Sequence, residues 1–225
     1  MPELELLVRQ IRLEARNIHS YELVHPQGGE LPGFEAGAHI DVQVADGMLR
    51  QYSLSNPPHE RHRYVIGVLR DDNGRGGSRR LHQSWRVGDL VRVSVPRNHF
   101  GLQPGARRVL LLAGGIGVTP LKAMAHQLHA QGVDYQLHYC ARDAQSVAFA
   151  DTLRDGLDAS RVQLHLDGGD PSRGLDIAAL LARERADGTQ LYYCGPAGFM
   201  KACADASADW PAGSVHFEHF KAPDK

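Results

Sequence analysis

The chain has 225 residues, a net charge of -1 from 25 basic and 26 acidic side chains, 42% hydrophobic residues and three cysteines. Balanced charge excludes the clustered basic footprint of a nucleic-acid or acidic-membrane binder, and three cysteines without a CxxC exclude a four-cysteine zinc site or a four-thiolate iron–sulfur cluster within the chain. No apolar run approaches about 18 residues and no charged-then-apolar leader opens the sequence, so the expectation is no membrane span, no signal peptide and a cytoplasmic address.

Up to residue 103, short apolar runs at 4–13, 21–24, 39–44, 49–54, 63–70 and 90–95 alternate with turn residues at 26–29, 45–47 and 55–58. Runs this short and this closely spaced predict an antiparallel six-stranded β-barrel over 1–103. The fourth run carries Arg50, Gln51, Tyr52 and Ser53, a fixed cation, an aromatic ring and a hydroxyl. Alternation puts Arg50 and Tyr52 on one face and Ser53 on the other; read alone, the run is an exposed edge strand. Next, 73–78 leads into a predicted helix at 79–85. A glycine-rich turn with Gly76 and Gly77, a capping Ser78 and a nearby Arg75 form a phosphate cradle or a flexible turn.

After 103–105 the rhythm changes to strand then helix. Strands are predicted at 108–113, 135–140, 162–166, 190–194 and 214–217, with helices at 119–131, 146–154, 176–183 and 197–206. Alternation of this kind predicts an α/β doubly wound parallel sheet over 108–225. The first strand runs into Gly114, Gly115, Ile116, Gly117, Val118, Thr119 and Pro120. Such a loop is either a tight connection or an anion site in which glycines let backbone N–H groups approach a pyrophosphate. Cys194, Gly195 and Pro196 repeat the arrangement at a later strand end, where Cys194 reads as a buried thiol rather than a nucleophile, because no base is paired with it. Two cradles suggest two nucleotide-like ligands. The 13 histidines read as solvated or capping side chains: His126 and His129 share a helix face without a third partner, and His216 and His219 point apart. No metal site is expected.

Taken together, RQYSL at 50–54, NGRGGS at 73–78, AGGIGVTP at 113–120, YYCGPAGFM at 192–200 and VHFEHF at 215–220 form an ordered series. The series resembles the ferredoxin–NADP reductase superfamily, and within it the FMN-containing reductases of Rieske-type oxygenases and demethylases, the phthalate dioxygenase reductase and vanillate demethylase reductase group. The resemblance implies a flavin-binding barrel joined to an NAD-binding domain, with NADH as hydride donor and FMN as the flavin. It places Arg50, Gln51, Tyr52 and Ser53 on the flavin strand and Arg75, Gly76, Gly77 and Ser78 at the FMN phosphate. Val68, on a neighbouring strand, is implied as a further flavin contact, and Leu69 stands where related reductases often carry a basic side chain near the FMN phosphate. Gly114, Gly115, Gly117, Thr119 and Pro120 match the pyridine-nucleotide loop, and Cys194, Gly195 and Pro196 the nicotinamide segment. Arg142 and Asp143 fall where the adenosine ribose is read, and a carboxylate there favours NADH over NADPH. Glu218 and Phe220 match the C-terminal segment beside the flavin, so Ser53, Cys194 and Glu218 are the residues implied at the reacting ring. The group normally adds a 2Fe–2S ferredoxin domain; the expectation here is no iron–sulfur cluster in this chain and a separate electron-acceptor protein, a ferredoxin or Rieske-type oxygenase. The alternatives are a free-flavin or ferric reductase, or a non-catalytic redox-regulatory subunit.

Overall fold

The computed structural model describes residues 3–220. The first sheet comprises β1 (Glu3–Ala15), β2 (Ile18–Val24), β3 (His39–Ala45), β4 (Met48–Ser53), β5 (Tyr64–Leu69) and β6 (Leu90–Ser94), in the order β4-β3-β6-β1-β2-β5. All its ladders are antiparallel, and a Leu54–Ile66 bridge joins the two outer strands and closes the barrel. Inward residues of each strand, among them Leu6, Val8, Tyr21, Leu23, Ile40, Val42, Ile66 and Val68, fill the interior together with Leu81 and Trp85. Those last two come from helix α1 (Gly77–Ser84) and its C-terminal cap.

The second sheet comprises β7 (Arg108–Gly114), β8 (Asp134–Ala141), β9 (Val162–Leu166), β10 (Thr189–Cys194) and β11 (Val215–Phe217), all parallel, in the order β11-β10-β7-β8-β9. β7 is central, and from Val109 to its end every residue is buried, as its unbroken apolar run requires. α2 (Val118–Ala130) and α3 (Ala150–Asp155) contribute to the core on one face, and α4 (Ile177–Glu184) and α5 (Ala197–Ala206) to the core on the other. The two-domain architecture expected from the sequence is therefore present. Among the described residues no helix is long and apolar enough to cross a membrane.

Two local expectations need correction. The helix predicted at 146–154 is instead a single 3-10 turn at Ala144–Ser146, a non-helical stretch, and then α3. Val147, Ala148 and Phe149 are drawn into the core, Ala148 N donates to the Tyr139 hydroxyl at 3.0 Å, and Phe149 takes φ 61 as the N-cap of α3. The other concerns Ser78, which does not cap α1. Gly76 holds that position with φ 80, while the Ser78 hydroxyl accepts from Asp71 N at 3.0 Å and ties the 71–78 loop shut.

Candidate functional site

β7 and β10 are neighbours from which the chain winds in opposite directions, so their carboxyl ends open the crevice where α/β sheets take ligands. Gly114 ends β7 and Cys194 ends β10, with Cys194 in register with Ala113. A Cβ on Gly117 would collide with the Cys194 carbonyl, and one on Gly114 would lie 2.9 Å from Pro196 Cδ and 3.0 Å from Phe199. A Cβ on Gly195 would in turn run into Phe199 and lie 3.0 Å from Gly114 Cα. Gly114 and Gly117, expected to admit a pyrophosphate, thus serve first, with Gly195, to let the two loops touch. Gly115, at φ 52, is the loop glycine whose missing Cβ faces open space. After it, a 3-10 turn (Gly115–Gly117) runs into α2; Thr119 Oγ1 donates to the Ile116 carbonyl at 3.1 Å, Pro120 is buried, and the first turn of α2 holds no acid. That leaves a helix N-terminus with its dipole free of a competing carboxylate.

In the barrel, Arg50 leaves β4 and crosses α1. Its Nη1 donates to the Leu49 carbonyl at 2.7 Å and its Nη2 to the Arg75 carbonyl at 3.3 Å, and the stem passes over Gly77, where a Cβ would meet Arg50 Cγ at 2.8 Å. Segment 73–86 carries four arginines and no acid. Arg50, the exposed Arg75 and the start of α1 therefore form a cationic cradle roofed by Gly76 and Gly77. Tyr52 packs on the barrel core, and burial, against the pull of Arg50, raises its phenol to about 12. Gln51 is exposed. The Val68 side chain points into the barrel, so the ligand contact expected of it falls to its backbone at most, and there His82 Nε2 already donates to its carbonyl at 2.8 Å.

Ser53 is buried and pairs across the ladder with His39. His39 is 2% exposed, with both ring nitrogens lacking a partner. Burial, then Arg97, lowers its pKa, and the His99 ring lies tilted beside it at 5.7 Å. Glu218, whose N–H donates to the Tyr193 carbonyl at 3.4 Å, keeps a buried and unpartnered Oε2, and burial raises its carboxyl to about 7. Burial and then the Glu218 carboxylate push the Cys194 thiol up, which rules out a thiolate nucleophile at neutral pH. Phe220 is exposed. Orphaned polar atoms on His39 and Glu218, with the glycine-roofed cation of Arg50, fit a polar, anionic ring cofactor.

The two half-sites meet at β5, which packs against the 115–117 turn and lays Gly67 under Thr119. Arg142 and Asp143 stand apart from this junction. Arg142 packs over Gly169, while Asp143 accepts from the Ser146 hydroxyl at 2.8 Å and pairs with Arg16 of the barrel at 3.3 Å. First the Ser146 bond and then Arg16 hold the Asp143 carboxyl below its ordinary range.

The structure also buries residues that the sequence does not place inside. Histidines are expected in solvent or at caps, yet His39 and His138 are buried, and the His126 Nε2 is buried without a partner. Lys122 is another, although a signal for it exists: it stands four residues after Val118 and three before Ala125, the spacing of the buried face of α2. Among the described residues no group of three or more His, Cys, Asp or Glu side chains is arranged to hold a metal ion.

No family model matches the chain. It is 55% identical over 217 residues, 96% of this chain, to the tert-butanol monooxygenase / tert-amyl alcohol desaturase reductase subunit of Aquincola tertiaricarbonis, of which it spans 64%. It is 46% identical over 221 residues to the vanillate O-demethylase oxidoreductase of Pseudomonas sp. strain HR199, covering 97% of this chain and 69% of that protein. Among solved structures, phthalate dioxygenase reductase, described as modular for electron transfer from pyridine nucleotides to a 2Fe–2S centre, superposes with TM-score 0.93 at 44% identity, covering 99% of this chain and 70% of that one. The chain therefore spans about two thirds of the length of the curated relatives it matches. With this identity and this fold held over nearly its whole length, the chain belongs to the family of oxygenase and demethylase reductases that includes phthalate dioxygenase reductase and vanillate O-demethylase oxidoreductase.

Proposed function

We propose that the chain is an NADH-dependent flavin oxidoreductase, with FMN held by the barrel domain (1–103), NADH held by the α/β domain (108–225), and electrons passed on to a separate iron–sulfur protein or Rieske-type oxygenase. The observation that carries this reading is the junction at Gly67 and Thr119, where the barrel domain that bears the cationic cradle packs on the switch-point loop of the other domain. The bound flavin supplies a hydride acceptor that releases electrons singly. The chain's own residues position and tune. Arg50 and Arg75 neutralise the phosphate at the start of α1, with Gly76, Gly77 and Ser78 shaping the turn. Ser53 offers a hydroxyl at the reacting edge. The 114–120 loop orients the nucleotide, and Cys194 and Glu218 close the nicotinamide side as a buried wall. No side chain has to relay a proton for hydride to move, in keeping with the lack of an acid–base dyad among the residues given these roles.

Two finer assignments belong to this proposal. Among the described residues the 71–78 turn leads directly into α1 without an adenine-binding extension, which supports FMN over FAD. Asp143 at the ribose side supports NADH over NADPH through like-charge repulsion of a 2′-phosphate. The test is to release the cofactor by heat, identify it chromatographically, and compare bleaching by NADH and NADPH. FMN and faster bleaching by NADH are expected; release of FAD, or a preference for NADPH, removes the corresponding assignment. Ser53→Ala should slow flavin reduction more than it weakens NADH binding, and an unchanged rate removes the role given to Ser53.

A further inference from the structure

α2 is fastened to the barrel at three points along its length. Thr119 abuts Gly67, where a Cβ would lie 2.9 Å from the threonine methyl carbon. One turn on, Lys122 Nζ donates to the Ser55 carbonyl at 3.1 Å and lies 5.5 Å from the centre of the Phe149 ring. Farther along, Gln127 Oε1 accepts from Ala36 N at 3.0 Å.

The middle fastening is costly. Lys122 is 5% exposed, its partners are a neutral carbonyl and an aromatic face, and burial drags its ammonium down to about 8. Charged groups face it at longer range: Glu14 from β1, Glu60 and Arg63 from the segment before β5, and His126 one turn along α2. Arg12 and Glu22 line the rest of a polar cavity of about 90 Å³ beside it. Phe149, which supplies the ring, sits at φ 61, a conformation disfavoured for any residue with a Cβ. The same ring stops Gly67 from carrying a side chain, since a Cβ there would lie 3.1 Å from it. A buried cation and a strained phenylalanine thus meet at one joint, and such features persist where the surroundings demand them.

The joint stands between the two half-sites. Lys122 is three residues beyond Thr119 of the nucleotide loop, and Ser55 is two residues beyond Ser53 of the flavin strand. A methylene stem alone would fill the same seam but impose no direction, whereas a hydrogen bond to one carbonyl does. We propose that Lys122 is a positioning residue whose bond to Ser55 clamps the helix that begins at the nucleotide loop onto the strand end that carries Ser53, and so sets the span over which hydride passes. The clamp itself stands on the seam geometry; its consequence for hydride transfer rests on the function proposed above.

The test is Lys122→Met in the full chain with its flavin as isolated, since methionine keeps the stem and removes the donor. Amide hydrogen exchange is read at Ala36 and Arg16, whose N–H groups bond across the seam to Gln127 Oε1 and the Gln145 carbonyl, against amides of the β1–β2 ladder. Exchange at Ala36 and Arg16 should rise about tenfold with the ladder unchanged, and the melting temperature should hold or rise because a buried charge is gone. Flavin reduction at saturating NADH should slow about tenfold while the NADH KM stays within about twofold, as expected when orientation is lost and binding is kept. Should Lys122→Met fail to fold, Lys122→Leu, which also removes the donor and keeps an apolar stem, carries the same comparison. Unchanged seam exchange overturns the clamp, and a loosened seam with an unchanged reduction rate overturns the positioning role. If the unaltered protein is not reduced by NADH, the proposed function fails and the positioning role fails with it, while the clamp is judged by exchange alone.

Discussion

Arg50 lies across Gly77, held there by the carbonyls of Leu49 and Arg75. The glycine is needed for the space above it and not for its backbone angle, since its φ is not in the left-handed region, unlike that of Gly76 at 80. Gly77→Ala should therefore leave the fold intact, with any gain in helix propensity under about 1 kcal/mol, while displacing the guanidinium. FMN affinity measured by titrating flavin-depleted protein should fall about tenfold, or about 1.4 kcal/mol. Equal affinity in the two proteins would show that Arg50 does not face the phosphate.

Asp143 is shared between two tasks. Its carboxylate holds Arg16 across the domain seam and accepts from Ser146, so its charge is partly compensated before any nucleotide arrives. Asp143→Asn should narrow the preference for NADH over NADPH by about fivefold, a modest effect because solvent and salt screen the repulsion in an exposed site. Steady-state kcat/KM with the two nucleotides checks this, and an unchanged ratio places ribose recognition elsewhere.

Much of the fold is legible because its signals are local. The unbroken run at 109–113 reads as a central parallel strand, and the short runs broken by turn residues read as a barrel, and both are found. The stretch at 146–149 reads as helix because Phe149 and Leu153 are apolar four residues apart, and the burial of Val147 to Phe149 together with the Tyr139 hydroxyl that takes Ala148 N selects the non-helical path. The site is legible as motifs but not as contacts. Nothing local says that Gly117 exists to clear the Cys194 carbonyl, because the two residues are neighbours only once β7 and β10 pair. His39 is hidden for the same reason, its burial created by the strand across the ladder, and although Lys122 falls at the spacing of the buried face of α2, what covers it comes from the other domain.

The three thiols should be inert in the folded protein. Burial raises Cys140 and Cys203 to about 12 and Cys194 further, and thiolate is the reactive form. At pH 8 a disulfide reagent such as DTNB should titrate none of the three within about ten minutes, against all three in denaturant, because a thiol near 12 is only about 0.01% ionised there. Rapid native labelling of Cys194 would contradict the closed wall assigned to the nicotinamide side.

Glu218 makes stability depend on pH in a direction opposite to that of an ion-paired carboxylate. Burial raises its folded-state pKa to about 7 from an ordinary 4.5. Between those values the folded chain holds a proton that the unfolded chain releases, so the favourable contribution is complete below about pH 4.5 and is lost as pH rises through about 7. Above that, the fold carries a buried carboxylate whose Oε2 has no partner, at a cost on the order of 3 kcal/mol. Glu218→Gln removes the titration and supplies an amide of the same shape. Its melting temperature should match that of the unaltered protein near pH 5 and exceed it by about 6–12 °C at pH 8.5 in flavin-depleted samples, where no ligand can pair with the carboxyl. Thermal melts at intervals from pH 5 to pH 9 read this directly. Parallel curves for the two proteins would mean that Glu218 is solvated in solution, and would withdraw it from the wall beside Cys194.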